Sequence, residues 1–263
     1  MNYYHIDAFT TELFKGNSAG VVICKEDDIA DSIKQKLANE LKHSETAFIL
    51  IKDQKIKLRW FTPTTEVDLC GHATIAAAHA LWHSGEINIS ENIYFETRSG
   101  NLSAKYINEK IELDFPQLYV DECDPNEKVN NALGIAPIYT GKNSKRYLLE
   151  IENADKLRKL EPDFELLKKA DLGAFMVTCR SDLPVYDFLS RFFAPYVGIN
   201  EDPVTGSAHC YLAPYWKQKL NKNKLIGFQE SDRTGIVECE LFEQDRIKLR
   251  GNANTLFNTD LRI

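Results

Sequence analysis

The feature that most constrains this chain is that it carries one pattern twice. Arg59-Trp60-Phe61-Thr62-Pro63 returns as Arg191-Phe192-Phe193-Ala194-Pro195. Cys70-Gly71-His72-Ala73 returns as Thr205-Gly206-Ser207-Ala208, with three extra residues in the second linker. Earlier in each half, Thr46-Ala47-Phe48-Ile49 is matched by Gly173-Ala174-Phe175-Met176. One echo arises easily by chance, but three in the same order point to an internal duplication. The 263 residues are enough for two domains of ordinary size.

Strand and helix signals alternate within the repeat. Residues 3–9 and 19–24 read as strands joined through a Gly16-Asn17 turn. Ile29, Ile33, Leu37 and Leu41 recur every four residues and predict an amphipathic helix over 28–43. Residues 46–51 and 55–61 read as a strand pair, and 93–97, 101–107 and 110–115 as three short strands. Between them, 71–82 is an Ala-rich helix that is apolar on nearly all sides, so it must be buried all round. The expectation is an α/β chain of two pseudo-symmetric domains, each a sheet rolled around a central helix. The first spans 1–115, with 254–263 able to return to it; the second spans 116–253, after the interruption at Pro116 and Pro125. A cleft between two such units is a natural place for a pocket.

Composition excludes several classes. The net charge of −7 gives no electrostatic reason to expect nucleic acid or an anionic membrane as a partner. The Lys-rich stretch 217–224 is broken by Gln, Leu and Asn and reads as a solvated helix end and linker. The six cysteines form no C-x-x-C pair and read as reduced thiols. The six histidines have no metal-ligand spacing, so no metal is expected. No run is long enough to span a membrane, and residues 1–5 do not resemble a signal peptide, which points to the cytoplasm. Dinucleotide, triphosphate and hydrolase signatures are absent.

Four side chains could carry chemistry. Glu45 sits where the amphipathic helix meets an apolar strand, and its counterpart under the repeat is Leu172. A duplication does not require a carboxylate in one half only, so Glu45 is a candidate acid/base; alone it also reads as a surface glutamate at a turn. A carboxylate among apolar neighbours holds its proton to higher pH and can trade it near neutrality. Gly71 and Gly206 each open a helix, where first-turn amides lack intrahelical partners and the helix dipole favours an anion. His72 and Ser207 follow them in equivalent places, although Ser207 also suits an ordinary first turn and His72 a core histidine. Asp202 is held extended by Pro203, which also suits an ordinary turn. Glu66 and Glu201 read as exposed and idle.

Residues 14–22, Ser44-Glu45-Thr46-Ala47-Phe48, 59–79 and 201–208 together resemble the signature blocks of the phenazine-biosynthesis PhzF-like family, in the family's order. Ser18 departs from it, because many members have proline after the Gly-Asn pair. The resemblance implies a diaminopimelate epimerase-like fold, an active site in the interdomain cleft, no metal or organic cofactor, and a homodimer. It implies an isomerase that moves a proton between carbons, with Glu45 as acid/base and Gly71, His72, Asp202, Gly206 and Ser207 contacting a small carboxylate substrate. Relatives in the broader fold use two opposed cysteines; here the positions are Cys70 and Thr205, which argues against a two-cysteine racemase. An amino-acid or hydroxy-acid epimerase, and a binding protein that has lost catalysis, remain the alternatives.

Overall fold

In the computed structural model, which describes residues 1–25, 28–170 and 173–262, the Ala-rich run forms the helix Gly71–His83. The chain divides into two units, Met1–Asp114 with Leu249–Ile263, and Phe115–Lys248. Leu172, the repeat counterpart of Glu45, lies outside the described residues.

In the first unit the closing strand Ala253–Asp260 runs antiparallel beside Asn2–Ala8. The sheet continues through Asn17–Lys25, Glu45–Lys52, Lys55–Phe61, Ile93–Thr97, Gly100–Ile107 and Lys110–Pro116. Two pairings are parallel: Asn17–Lys25 with Glu45–Lys52, and Lys55–Phe61 with Ile93–Thr97. The helix Gly71–His83 packs against the first four of these strands in sheet order. Its alanines suit that place, because a side chain of one carbon lets strands approach from several directions. Ala73, Ile75, Ala76, Ala77, Ala78, Ala80 and Leu81 are fully buried.

The other face of the sheet carries the helix Asp31–Leu41. It is shorter than the four-residue recurrence predicts, and Ile33 is 37% exposed. At 3.6 residues per turn a four-residue spacing drifts around the helix, and Ile33 is the member of the series that turns outward. Leu37 and Leu41 pack on the outer core as expected, and Lys34 and Ala38 are the fully buried positions beside them. Lys34 keeps its charge by pairing with Asp28 Oδ2 at 2.8 Å and Asp31 Oδ1 at 3.4 Å.

The second unit repeats these connections. Arg146–Glu150 runs parallel to Ala174–Arg180, as Asn17–Lys25 does to Glu45–Lys52. Phe188–Ala194 runs antiparallel to Ala174–Arg180 and parallel to Lys224–Gln229. Gly235–Leu241 follows on Lys224–Gln229. The helix Gly206–Leu220 buries Ala208, Cys210, Leu212, Ala213 and Trp216. On the sheet's other side, Val129, Leu133, Leu157 and Leu167 from short helices pack on Leu149, Phe175 and Val177.

The duplication reaches individual hydrogen bonds. Arg59 donates from Nε and Nη2 to the two oxygens of Glu66, both at 2.7 Å, and Arg191 does the same to Glu201, both at 2.7 Å. Each guanidinium also lies near the ring two residues ahead, Phe61 at 5.2 Å and Phe193 at 5.1 Å. Glu66 and Glu201 are therefore not idle, contrary to expectation. Each belongs to a short strand folded back on the arginine's strand, Glu66–Val67 and Ile199–Asp202, and anchors it through a bidentate charged pair.

Candidate active site

Strand alternation explains why Glu45 can do chemistry. Along Glu45–Lys52, Phe48 and Leu50 face the outer helix, packed with Ala38 and Leu37. The odd positions Glu45, Ala47 and Ile49 therefore face the helix Gly71–His83. Asn17 points the same way from the neighbouring strand, because Val22 and Cys24 are in the outer cluster. Glu45 is the first residue of its strand, so its carboxylate lies at the rim of the helix-facing side.

His72, on the first turn of the buried helix, collects these groups. Its Nε2 lies 3.4 Å from Glu45 Oε2 and 3.3 Å from Ser44 Oγ. Its Nδ1 lies 3.3 Å from Asn17 Nδ2 and 3.5 Å from Cys70 Sγ. Burial, and secondarily the nearby His43, push the His72 pKa down to about 3. The ring is therefore neutral at ordinary pH. Ser44 donates to Asn17 Oδ1 at 3.4 Å, which turns the Asn17 amide nitrogen toward Nδ1. Nδ1 then accepts, and the ring proton sits on Nε2, facing Glu45. Glu45, Cys70 and His72 each offer a ligand atom within 4.8 Å of the others, a spacing that a metal ion could use.

Gly16 sets up Asn17. It has a φ of 67°, and a Cβ there would lie 2.1 Å from the Ala8 carbonyl oxygen. Gly16→Ala should thus cost stability by about 1–3 kcal/mol from the left-handed backbone alone, with the backbone clash added. Urea unfolding checks this: a midpoint equal to the wild type would mean that the tight turn is not required.

In the second unit, Asp202 ends the strand Ile199–Asp202 and is buried. Thr205 Oγ1 donates to Asp202 Oδ2. Gln229, fully buried, donates from Nε2 to the Asp202 carbonyl at 2.7 Å and accepts from the Thr205 amide at 2.9 Å. Ser231 Oγ donates to the Pro203 carbonyl at 2.7 Å. The turn between strand and helix is thus pinned by polar contacts on both sides, and Gly206 and Ser207 open the helix after it.

The two helix starts match. The residue preceding each helix is extended, Cys70 at φ −146° and ψ 112° and Thr205 at φ −113° and ψ 96°. Neither side chain caps its helix. The first-turn amides are thus not consumed by the usual cap and can receive an anion.

The structure brings Glu45 and His72 together in one unit, and Asp202, Gly206 and Ser207 together in the other. Asn17, Ser44 and Gln229 were not singled out by sequence reasoning. Asn17 was read only as a turn residue, and Ser44 only as part of the motif around Glu45. Gln229 has no local signature, since its importance comes from a strand reaching back to residues 202–205.

Against solved structures, the whole chain superposes on a phenazine biosynthesis PhzF-family protein from Enterococcus faecalis, with a TM-score of 0.94 at 37% identity over 100% of this chain and 99% of that one. It also shares its fold with a probable proline racemase from Agrobacterium radiobacter K84, with a TM-score of 0.64 at 12% identity over 100% of this chain and 93% of that one. A curated relative from Halalkalibacterium halodurans, an uncharacterized isomerase, is 47% identical over 262 residues, 98% of this chain and 97% of the relative. The class is thus an α/β isomerase on a racemase/epimerase-like fold. The family model for phenazine biosynthesis-like proteins matches residues 6–259, and the chain belongs to that PhzC/PhzF family. Among the described residues, no helix is long and apolar enough to cross a membrane.

Proposed function

We propose that this chain moves a proton between carbons of a small carboxylate-bearing metabolite, with Glu45 as the single acid/base. The observation that carries this reading is the Glu45 carboxylate set 3.4 Å from Nε2 of a buried, neutral His72. Glu45 takes a proton from a carbon next to the substrate's carboxylate and returns it to another carbon. Negative charge develops on the substrate between the two steps. Neutral His72 can donate its Nε2–H as a hydrogen bond toward that charge, and the uncapped amides at Gly71 and Gly206 offer further donors. Asp202 and Ser207 orient the substrate. The proposal needs no resident metal or organic cofactor and places the protein in the cytoplasm as a homodimer, without nucleic-acid or membrane partners.

The second reading is an amino-acid or hydroxy-acid epimerase, favoured by the Cys70 thiol standing at the start of the buried helix, 3.5 Å from His72 Nδ1, where a thiol could serve as a base. The third is a binding protein without turnover. One experiment separates them. Small carboxylates are screened for a rise in Tm, and each stabilising one is incubated with the protein in D2O and followed by NMR. Deuterium appearing at a new carbon together with a shifted double bond supports the isomerase. Exchange at one carbon with inversion supports the epimerase. A ligand that stabilises the fold but never exchanges leaves only the binding protein.

A further inference from the structure

Arg146 opens the strand Arg146–Glu150 of the second unit. Glu150, four residues on, accepts from Tyr215 of the helix Gly206–Leu220 at 2.6 Å, so the even positions of this strand face that helix. The Arg146 guanidinium accordingly lies on the inner side, with its central carbon 5.8 Å from the ring of Phe192 and 5.8 Å from that of Tyr211. Its Nη1 is buried and has no hydrogen-bond partner. The contrast with other arginines is sharp. Arg59 is paired with Glu66 and Asp31, Arg158 with Asp182 and Glu230, and Arg191 with Glu201. No carboxylate among the described residues is paired with Arg146.

The duplication shows that the fold does not need this cation. Arg146 stands opposite Ala174 across a parallel pairing, as Val21 stands opposite Ala47 in the first unit. Val21 is fully buried and apolar. A cation in the symmetric place costs desolvation, and the faces of two rings attract its charge but accept none of its in-plane N–H bonds. What fits such a group is an oxyanion arriving from outside the chain, and a guanidinium offers a planar fork matched to a carboxylate. The rings beside it suit an apolar, flat body behind that carboxylate. Phe192 is also the register partner of Asp202, so arginine and aspartate share one face of the sheet.

We propose that Arg146, between Phe192 and Tyr211, is the receptor for the carboxylate of a small, flat organic acid. This goes beyond the proton-transfer reading and does not depend on it, because the test reads binding alone. Benzoate is the probe and benzamide its neutral counterpart, each titrated against the full chain by thermal shift and by NMR line broadening of the ligand. Benzoate should raise the Tm saturably and benzamide should not. Arg146→Met should weaken benzoate binding by ~10-fold or more, as expected for the loss of a charge-assisted contact, with Arg146→Lys falling between. Without ligand, Arg146→Met should melt at or above the wild type, since it removes an unpaired inner charge. Glu45→Gln should bind benzoate as the wild type does, which keeps this result separate from the catalytic reading. Equal benzoate binding by wild type and Arg146→Met overturns the proposal, as does a wild type that shows no saturable response to benzoate. So does an Arg146→Met variant that melts far below the wild type while binding benzoate equally, because the arginine would then be structural.

Discussion

Glu45→Gln should lower turnover by about 10²–10⁴-fold, the usual loss on removing a general acid/base, while substrate binding stays close to the wild type. Glutamine keeps the shape and the acceptor oxygen that face His72 Nε2, now 3.4 Å from Glu45 Oε2, but it cannot take a proton. Binding and chemistry should therefore separate cleanly: KM nearly unchanged, kcat reduced, and deuterium incorporation from solvent reduced in step with kcat. Cys70→Ser should keep most of the activity. The thiol lies at the far nitrogen of His72, and Thr205, where an opposed second thiol would stand, donates its hydroxyl to Asp202. The pair of variants is measured on whichever carboxylate exchanges with solvent. A nearly normal Glu45→Gln beside an inactive Cys70→Ser would move the proton-transfer role to the thiol and make the epimerase the better reading.

The second large effect is loss of stability in mild acid. Three histidines are held neutral by burial: His72, pushed down to about 3, and His79 and His209, each pushed down to about 4. In the unfolded chain a histidine titrates at its ordinary 6.5. Below that pH the unfolded state binds protons that the folded state refuses, so its proton count is the larger and stability falls as pH falls. The contribution is fully present above pH 6.5 and is lost progressively toward the folded-state values near 4 and 3. One excess proton corresponds to about 1.4 kcal/mol per pH unit, so three give a slope of about 4 kcal/mol per pH unit at most. Carboxylates held low by cations, such as Asp31 beside Arg59, do not titrate in this window. Urea midpoints measured from pH 7.5 to 5 should show the fall beginning near 6.5, and His79→Gln should shallow it by roughly one third. A flat stability profile down to pH 5 would mean that these rings accept protons while folded.

Both expectations rest on places where local sequence and distant packing meet, and the two were not equally legible. The duplication, the Ala-rich helix buried all round and the asymmetry of Glu45 against its repeat partner could all be read from the chain. Their signals are local: a period, an Ala-rich run, a motif with a spacing. On the helix Asp31–Leu41 the apolar spacing placed Leu37 and Leu41 on the core, but it missed that Ile33 turns outward and Lys34 is buried, which only the neighbouring Asp28 and Asp31 make tolerable. Glu66 and Glu201 looked idle because nothing in their own segments shows that each strand folds back onto an arginine.

By itself the sequence determined that the chain folds as a repeated α/β unit and that one carboxylate and two glycine-led helix starts are candidates for chemistry. Tertiary structure alone decided that the closing strand Ala253–Asp260 pairs with Asn2–Ala8, that Asn17 and Ser44 set the proton on His72, and that Gln229 pins the turn around Asp202. The division has one physical cause. Helical and strand periods are written in neighbouring residues, whereas a hydrogen bond between residues far apart in the chain depends on strand pairing and register, which only the folded chain sets.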